Sequence, residues 1–366
     1  MNNHVTVLEI DGNALKQNLN YFKQKLEAKT KVLVVVKAFA YGSDAAKIAS
    51  FIEKDVDYFA VAYADEGIAL REAGIEKPIL VLHPQIPNLE LIIQYQLEPN
   101  LYNSTIFNAF LALAEAKLML NYPIHLKFNT GLNRIGFWKT DIPSILSKVA
   151  ATSHVKIASL FSHLAASEDE NEKEFTTKQI NDFESIVAQF YAHLTYKPMV
   201  HLLNTSGIIN YPQAQFDMVR LGIGLYGFGN DKNETKQLKN VVSLKSIISQ
   251  IHLIESGESV GYNRAFTANK PIKTATIPVG HADGISRKLG NKKYSVLVKN
   301  QKAPIIGNVC MDMIMVDVTE IDCKEGDEVT IFNSQEMIQE IADATQTITY
   351  EILTAISQRV KRLLKC

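Results

Sequence analysis

Lys37 is the first residue of the chain whose setting suggests chemistry. It lies at the end of the apolar run within 31–38 (KVLVVVKA) and is followed by residues 38–42 (AFAYG). Partial burial lowers the pKa of a lysine amine, and a neutral amine attacks an aldehyde to form a Schiff base. An ordinary surface lysine at the end of a strand is the alternative at this point.

Two segments rich in glycine and small hydroxyl residues are candidates for binding phosphate. They are 204–207 (NTSG) and 221–224 (LGIG). Hydroxyl groups and unobstructed backbone N–H groups are donors that suit an anion. The two segments accompany the last two strands of the barrel predicted below, where barrel enzymes usually bind phosphate. Two ordinary turns are the alternative, and the joint placement favours the phosphate site.

Further cationic and titratable side chains lie in or beside apolar segments. Arg220 falls within an apolar run, where a charge is costly unless it pairs with a carboxylate such as Asp217 or binds a ligand. Lys127 and Arg134 lie close together in the sequence, and two cations at one barrel mouth need an anion nearby. His163 ends another apolar run, and it either stacks on a flat ligand ring or is a hydrogen-bonded core histidine.

The C-terminal third contains chemically rich turns. They are Tyr262 with its neighbours, 280–284 (GHADG) and 307–312 (GNVCMD). The Cys-Met-Asp sequence has no further histidine or cysteine at metal-ligand spacing, so we predict no metal site. Most tyrosines are packing residues, and Tyr262 is a weak candidate by itself.

Eight β-rich runs alternate with helical segments in the first two-thirds of the chain. The runs are 31–38, 58–63, 78–83, 97–102, 124–129, 155–163, 200–204 and 218–227, and the clearest helices are 45–52, 65–73 and 178–193. Parallel strands need crossover helices, so this alternation predicts an α/β fold of the (β/α)8 TIM-barrel type. The fourth run is the weakest because Pro99 lies inside it. A doubly wound open sheet is the alternative.

The pattern changes near residue 230. The polar segment 230–240 (NDKNETKQLKN) predicts a linker or exposed loop, and short strands follow at 241–253, 272–279, 294–299, 305–306 and 328–332. A closing helix is predicted over 350–364. We therefore expect a barrel domain over 1–230 and a mostly β domain over 231–366, with about the first ten residues able to pack with the β domain.

Composition excludes several classes of protein. The 366 residues suggest two domains, or one large barrel with an appendage, at about 150 residues per domain. Lys plus Arg is 38 and Asp plus Glu is 39, and this balance argues against a nucleic-acid binder. No apolar run approaches the roughly 18 residues of a membrane span, and the polar N-terminus argues against a secretory signal. Three widely spaced cysteines favour a reducing compartment, so we expect a cytoplasmic protein that does not bind a membrane.

Short motifs in both halves of the chain resemble those of the alanine racemase family. In chain order they are 37–42 (KAFAYG), 201–206 (HLLNTS), 217–220 (DMVR), 261–262 (GY), 280–284 (GHADG), 310–312 (CMD) and 349–351 (TYE). Each motif is weak alone, whereas all of them in this order over essentially the whole chain are a strong signal. The family's architecture, a barrel carrying a β domain, agrees with the alternation described above.

The resemblance implies pyridoxal 5'-phosphate (PLP) as cofactor and a two-base racemisation of alanine. Lys37 would hold the cofactor and serve as one acid/base, and Tyr262 would be the other, on the opposite face of the substrate Cα. Two groups are needed because one removes a proton and the other returns it. Arg220 would hydrogen-bond the pyridine nitrogen and keep it unprotonated, and His163 would pack on the ring.

The remaining implied roles concern the phosphate and the substrate carboxylate. The residues expected around the phosphate are Tyr41, Asn204, Thr205, Gly222, Ile223 and Tyr350. Arg134 and the backbone of Met311 would bind the carboxylate. The lysine equivalent to Lys127 is often carbamylated in the family, which would convert a repulsive pair with Arg134 into an attractive one.

The family further implies a head-to-tail homodimer with shared active sites that supplies D-alanine for peptidoglycan. In such a dimer Tyr262 and the 310–312 segment would reach the barrel of the other subunit. Two alternatives remain open: a racemase of a larger amino acid such as serine or lysine, and a non-enzymatic PLP carrier, against which the β domain argues. The sequence also departs from the commoner family pattern at Phe39, Asn129 and His281. His281 lies in a segment that the resemblance places at the substrate entrance, so the shape of that entrance and the pH dependence stay open, whereas the reaction class does not.

Overall fold

A closed barrel of eight parallel strands follows the first strand, β1 (Val7–Asp11). The barrel strands are β2 (Lys31–Val35), β3 (Tyr58–Val61), β4 (Ile79–Val81), β5 (Glu98–Leu101), β6 (Tyr122–Lys127), β7 (Val155–Phe161), β8 (Met199–His201) and β9 (Met218–Leu221). Each overlaps one predicted run, including the run that contains Pro99. The (β/α)8 prediction is confirmed and the doubly wound alternative is wrong.

The computed structural model describes residues 5–229 and 232–366. The predicted domain boundary between residues 230 and 231, and the beginning of the polar N-terminus, therefore lie outside the described residues. The segment predicted as a linker contains a short helix, Lys232–Gln237.

The helices cover the outside of the barrel and extend into the second domain. They are α1 (Gly12–Lys23), α2 (Lys37–Tyr41), α3 (Ala45–Ile52), α4 (Ala64–Glu72), α5 (Leu89–Gln94), α6 (Ser104–Ala116), α7 (Ile142–Ala150), α8 (Lys173–His193), α9 (Thr205–Asn210), α10 (Lys232–Gln237), α11 (Gln335–Thr345) and α12 (Thr349–Ala355). Helix α8 shows why these segments are helical, because Ile180, Phe183 and Val187 recur at helical spacing and are all buried.

The C-terminal domain is mostly β, as predicted. Its strands are β10 (Val242–Ile247), β11 (Gln250–Ile254), β12 (Ser259–Val260), β13 (Phe266–Thr267), β14 (Ile272–Ile277), β15 (Ser295–Val298), β16 (Gln301–Ile306), β17 (Ile314–Asp317), β18 (Glu328–Phe332) and β19 (Lys361–Lys365). The main sheet has nine strands in the order β11-β14-β17-β16-β15-β18-β10-β1-β19. The single strand predicted over 241–253 is instead two, since the chain turns between β10 and β11.

The two ends of the chain meet in this sheet. Strand β1 pairs antiparallel with β10 and parallel with β19, with Leu8 opposite Arg362 in the second pair. The closing helix predicted over 350–364 is therefore wrong beyond Ala355. Its last residues extend because they complete a sheet edge against a strand at the other end of the chain, and local sequence does not encode that partner.

No helix in the described ranges is both long enough and apolar enough to cross a lipid bilayer.

Candidate active site

A cavity of about 420 Å³ opens where the barrel strands end. It has the size of a small-molecule site. The predicted residues that line it are Lys37, Tyr41, Lys127, Arg134, His163, Asn204, Thr205, Arg220, Gly222, Ile223 and Tyr350. They come from five barrel strands or the loops after them, together with one helix of the second domain.

Lys37 is placed by an unusual backbone turn directly after β2. The φ angles of Ala38, Phe39 and Ala40 are 51°, 56° and 52°, so α2 winds in the left-handed sense that L-residues normally avoid. Such a conformation persists only where the surroundings enforce it. Partial burial, and secondly the charge of Arg134, lower the pKa of the Lys37 amine, which favours its neutral, nucleophilic form.

Glu66 supports this turn from the barrel side. One of its carboxylate oxygens accepts a hydrogen bond from the backbone N–H of Ala38 at 2.6 Å, and the other accepts from Ala62 N–H at 2.6 Å. A single carboxylate therefore ties the residue after Lys37 to the end of β3.

The second domain supports the same turn from the other side. The Arg362 guanidinium donates to the Gly42 carbonyl at 2.9 and 3.0 Å. Gly42 has φ of +83°, and a Cβ there would lie 2.1 Å from the Leu353 carbonyl oxygen. Glycine is required here by both the left-handed backbone and the close approach of the domains. The position of Lys37 therefore depends on both domains.

Arg220 is buried among neutral acceptors. Its Nη1 donates to His201 Nδ1 at 2.9 Å, and its Nη2 donates to the Ser162 carbonyl at 2.8 Å and to His163 Nδ1 at 3.0 Å. Arg220 forms no ion pair with a described carboxylate, so the alternative of a salt bridge with Asp217 is wrong. Asp217 instead accepts from the backbone N–H of Val200.

The charge of Arg220 is retained despite this burial. Desolvation, and secondly Arg134, lower its pKa to about 9, which leaves the guanidinium protonated at neutral pH. Nε donates to no described protein atom, and Arg220 lines the cavity. It is thus available as a donor to a ligand. His163 lies beside it, and burial together with the charge of Arg220 holds the pKa of His163 well below its ordinary value.

Lys127 is buried near three other cations. Desolvation, followed by the charges of Arg134, Arg220 and Lys37, lowers its pKa to about 7. Its Nζ lies 5.8 Å from the centroid of the Phe161 ring. This concentration of positive charge would suit an anionic ligand or an added negative group.

The residues predicted around a phosphate converge at one end of the cavity. Thr205 Oγ1 accepts hydrogen bonds from the N–H groups of Gly222 and Gly224 at 3.2 and 3.3 Å. A Cβ on Gly222 would lie 2.6 Å from the Tyr41 hydroxyl, so a side chain here would close the space. Tyr350 packs near Tyr41, with ring centroids 6.0 Å apart. Burial raises the pKa of Tyr350 to about 12, so its hydroxyl stays neutral and can donate a hydrogen bond.

Asn204 has a structural task as well as a place in the cavity wall. Its Oδ1 accepts from the Gly207 N–H and from the Ser167 hydroxyl, both at 2.9 Å. The carbonyl of its side chain therefore begins α9, and its NH2 group is the part left for a ligand.

The structure does not bring Tyr262 and Met311 into the Lys37 cavity of the same chain. Both lie in exposed turns of the second domain, with 74% and 59% of their surfaces accessible. The turns support one another, because Asn308 Nδ2 donates to the Tyr262 carbonyl and the Ala282 N–H donates to the Met311 carbonyl. They form one exposed face, which we call the Tyr262 face.

Several cavity-lining or supporting residues were missed by the sequence analysis. Tyr63, His83 and Phe161 line the cavity, and Glu66 supports the turn after Lys37. Tyr63 and His83 end or follow predicted strands of the barrel, so their positions were a usable signal. Glu66 had no such signal in the sequence, since an acidic residue in the first turn of a helix is normally explained by the helix dipole.

Comparison with known proteins identifies similar chains over the full length. The profile described as "Alanine racemase, N-terminal domain" matches residues 10–229, and "Alanine racemase, C-terminal domain" matches residues 241–364. An alanine racemase of Halothermothrix orenii is 37% identical over an alignment that covers 98% of this chain and 96% of that protein.

Solved structures of alanine racemases are also similar to this chain over its full length. An alanine racemase of Clostridium difficile 630 superposes with a TM-score of 0.94 at 32% identity, covering 100% of this chain and 97% of that one. An alanine racemase of Bartonella henselae, solved with covalently bound pyridoxal phosphate, gives a TM-score of 0.87 at 30% identity and covers 99% and 100% of the two chains.

Proposed function

Because this chain belongs to the alanine racemase family, we propose that it interconverts L-alanine and D-alanine with PLP bound in the Lys37 cavity. The observation that carries the proposal is the convergence of a lysine with lowered pKa, a buried arginine with an available donor, and a hydroxyl- and glycine-lined end in one cavity.

The cavity fits this cofactor in its donor chemistry. Lys37 offers an amine to an aldehyde, and Arg220 offers a donor to a pyridine nitrogen from a site without a carboxylate. Thr205 and Tyr41 offer hydroxyl groups beside Gly222, in a space that a side chain at that glycine would fill, as a phosphate requires. When bound, PLP supplies a ring that withdraws the electron pair left at Cα after proton removal.

The chain's own groups move the proton. Lys37 stands at one side of the cavity and takes or returns the Cα proton on one face of the substrate. Tyr262 does the same on the other face. Arg220 keeps its own proton, and its Nε would be the donor to a pyridine nitrogen, which would stay unprotonated and so limit side reactions such as transamination. Arg134 and the Met311 backbone hold the substrate carboxylate.

The exposed positions of Tyr262 and Met311 support a homodimer with shared sites. Neither Tyr262 nor Met311 is among the described residues that line the Lys37 cavity of the same chain, and both are exposed. A head-to-tail pair of chains would place each Tyr262 face over the other chain's cavity and complete both sites. We further propose a cytoplasmic enzyme whose D-alanine enters peptidoglycan.

The direct test is incubation with L-alanine in deuterated water, followed by chiral chromatography with mass detection. Enantiomers have equal free energy in water, so we expect equal amounts of both, with deuterium at Cα of the newly formed enantiomer. Deuterium incorporation without inversion would contradict the two-base assignment. No exchange and no inversion with alanine would overturn the proposed activity.

Lys127 is proposed to carry a carbamate. Its neutral amine would bond to the carbon of carbon dioxide and release one proton to solvent, giving an anion among Arg134, Arg220 and Lys37. Since its pKa is lowered to about 7, the reactive amine predominates above that pH and is lost as the pH falls below it.

We expect native mass spectrometry to show an adduct of about 44 Da that disappears on acidification and returns with bicarbonate at alkaline pH. A Lys127→Met variant is the matched control and should lack the adduct at every pH. Identical behaviour of the wild-type protein and this variant would rule out the carbamate.

A further inference from the structure

A row of hydrogen-bonded polar side chains crosses the interior of the barrel below the proposed cofactor site. Its members are Glu98, His125, Ser159, His201 and Arg220. They lie on β5, β6, β7, β8 and β9, so each successive member comes from the next strand around the barrel. We call this row the Glu98–Arg220 relay.

The contacts of the relay are short and continuous. Glu98 Oε2 lies 2.6 Å from His125 Nε2, and His125 Nδ1 lies 2.6 Å from Ser159 Oγ. Ser159 Oγ lies 2.8 Å from His201 Nε2, and His201 Nδ1 lies 2.9 Å from Arg220 Nη1. His125, Ser159 and His201 are fully buried, so no solvent competes for these groups.

The chemistry of the two ends sets the direction of every hydrogen bond. Arginine can only donate, so His201 Nδ1 carries no proton and its Nε2–H must donate to Ser159. A carboxylate can only accept, so His125 donates to Glu98 through Nε2–H and presents an unprotonated Nδ1 to the Ser159 hydroxyl. Both ends therefore require the hydrogen bonds to run in the same direction. The Ser159 hydroxyl between the two rings donates to His125 and accepts from His201.

The alternative arrangement leaves a group unsatisfied. If His125 were doubly protonated, both rings would donate to Ser159 Oγ and the serine proton would have no acceptor among the described residues. A buried donor without an acceptor is disfavoured. Burial, with the charge of Arg220, also holds the pKa of His201 well below its ordinary value, in agreement with a neutral ring.

We propose that the Glu98–Arg220 relay is a positioning device that holds the neutral His201 ring in place through its Nε2–H and thereby orients the Arg220 guanidinium toward the cofactor ring. This inference rests on the proposed function only for the identity of the ligand that Arg220 contacts in the cavity. Because Nη1 and Nη2 are occupied by protein acceptors, the plane of the guanidinium is held with Nε as its unused donor. Glu98, at the other end of the relay, fixes the tautomer of His125 and so leaves the Ser159 hydroxyl free to accept from His201.

The first experiment reads the tautomer and does not depend on activity. The full-length holoenzyme is labelled with 15N-histidine, and the His201 signals are assigned from their absence in a His201→Gln variant. Protonated and unprotonated ring nitrogens have well-separated 15N shifts. We expect a neutral His201 with the proton on Nε2. In Ser159→Ala the 1H signal of this Nε2–H should move upfield because the group loses its acceptor, and a smaller move is expected in Glu98→Gln, whose amide can either donate to His125 or accept from it.

The second experiment measures the consequence for the reaction. In Ser159→Ala we expect kcat to fall by about 10-fold with little change in KM, and pyruvate formed per racemisation to rise, because a misoriented Arg220 no longer keeps the pyridine nitrogen unprotonated. Ser159→Thr keeps the hydroxyl and should restore both values. Ser246→Ala, which removes another buried serine hydroxyl in the second domain, is the matched control and should change neither.

Three outcomes would overturn the relay. They are a proton on His201 Nδ1 in the wild-type enzyme, an unchanged Nε2–H signal of His201 in Ser159→Ala, and a Ser159→Ala variant with wild-type kcat and pyruvate ratio. If the wild-type enzyme failed to racemise alanine while showing the expected tautomers, the proposed function would fail and the relay geometry would stand.

Discussion

Replacing Lys37 with alanine will remove racemase activity and leave PLP without covalent attachment. We expect kcat to fall by at least about 10³-fold, since the same amine serves as the attachment point and as one acid/base. The Lys37 side chain forms no hydrogen bond or ion pair with a described residue, so its removal should leave the fold intact. The measurement is the chiral assay together with intact mass after borohydride reduction, which traps a lysine-bound cofactor.

The control for this prediction is the other lysine of the cavity. Lys127→Ala should weaken activity but retain the reduced cofactor adduct, because Lys127 is not the attachment point. An adduct that survived in Lys37→Ala, or one that vanished in Lys127→Ala, would assign the covalent role to Lys127 instead.

Tyr262→Phe is expected to lower kcat by about 10²- to 10⁴-fold while leaving the cofactor bound. The variant removes only the hydroxyl oxygen of a residue that is 74% exposed, so folding should not change. The physical reason for the loss is that one face of the substrate Cα then has no acid/base. Activity is measured with both enantiomers, and bound PLP is measured by its absorbance.

Mixing the two inactive variants tests the shared site. If Tyr262 acts on the cavity of a second copy, a dimer of one Lys37→Ala chain and one Tyr262→Phe chain contains one complete site. After random exchange of subunits about a quarter of the wild-type activity should return. Mixing Lys37→Ala with the double variant should restore none, because every site then lacks Lys37. No recovery in the first mixture would mean that Tyr262 serves its own chain.

The fold was predictable where local sequence repeats a simple rule. Buried parallel strands are short apolar runs, and the helices between them bury residues at helical spacing, so the alternation alone identified the barrel. The prediction failed at Lys361–Lys365, where a strand forms against β1. Nothing in that short segment encodes a partner more than 300 residues away, and pairing across the sheet overrides its local preference.

The left-handed turn after Lys37 could not be predicted from the local sequence either. Ala38, Phe39 and Ala40 have no intrinsic preference for positive φ, and the conformation depends on Glu66 on one side and on Arg362 and Leu353 on the other. These contacts join two domains. They could be recognised only after the chain had been folded.

What the sequence determined by itself was the set of reactive groups, because residue type decides chemistry: an amine at Lys37, a fixed cation at Arg220, hydroxyl and glycine residues for an anion. What only the tertiary structure decided was their environment. The barrel brings Arg134 and Arg220 close enough to Lys127 to lower the pKa of its amine, and it links Glu98 to Arg220 through three neutral groups. Burial and distance govern both effects, and both arise from the packing of strands that are far apart in the chain.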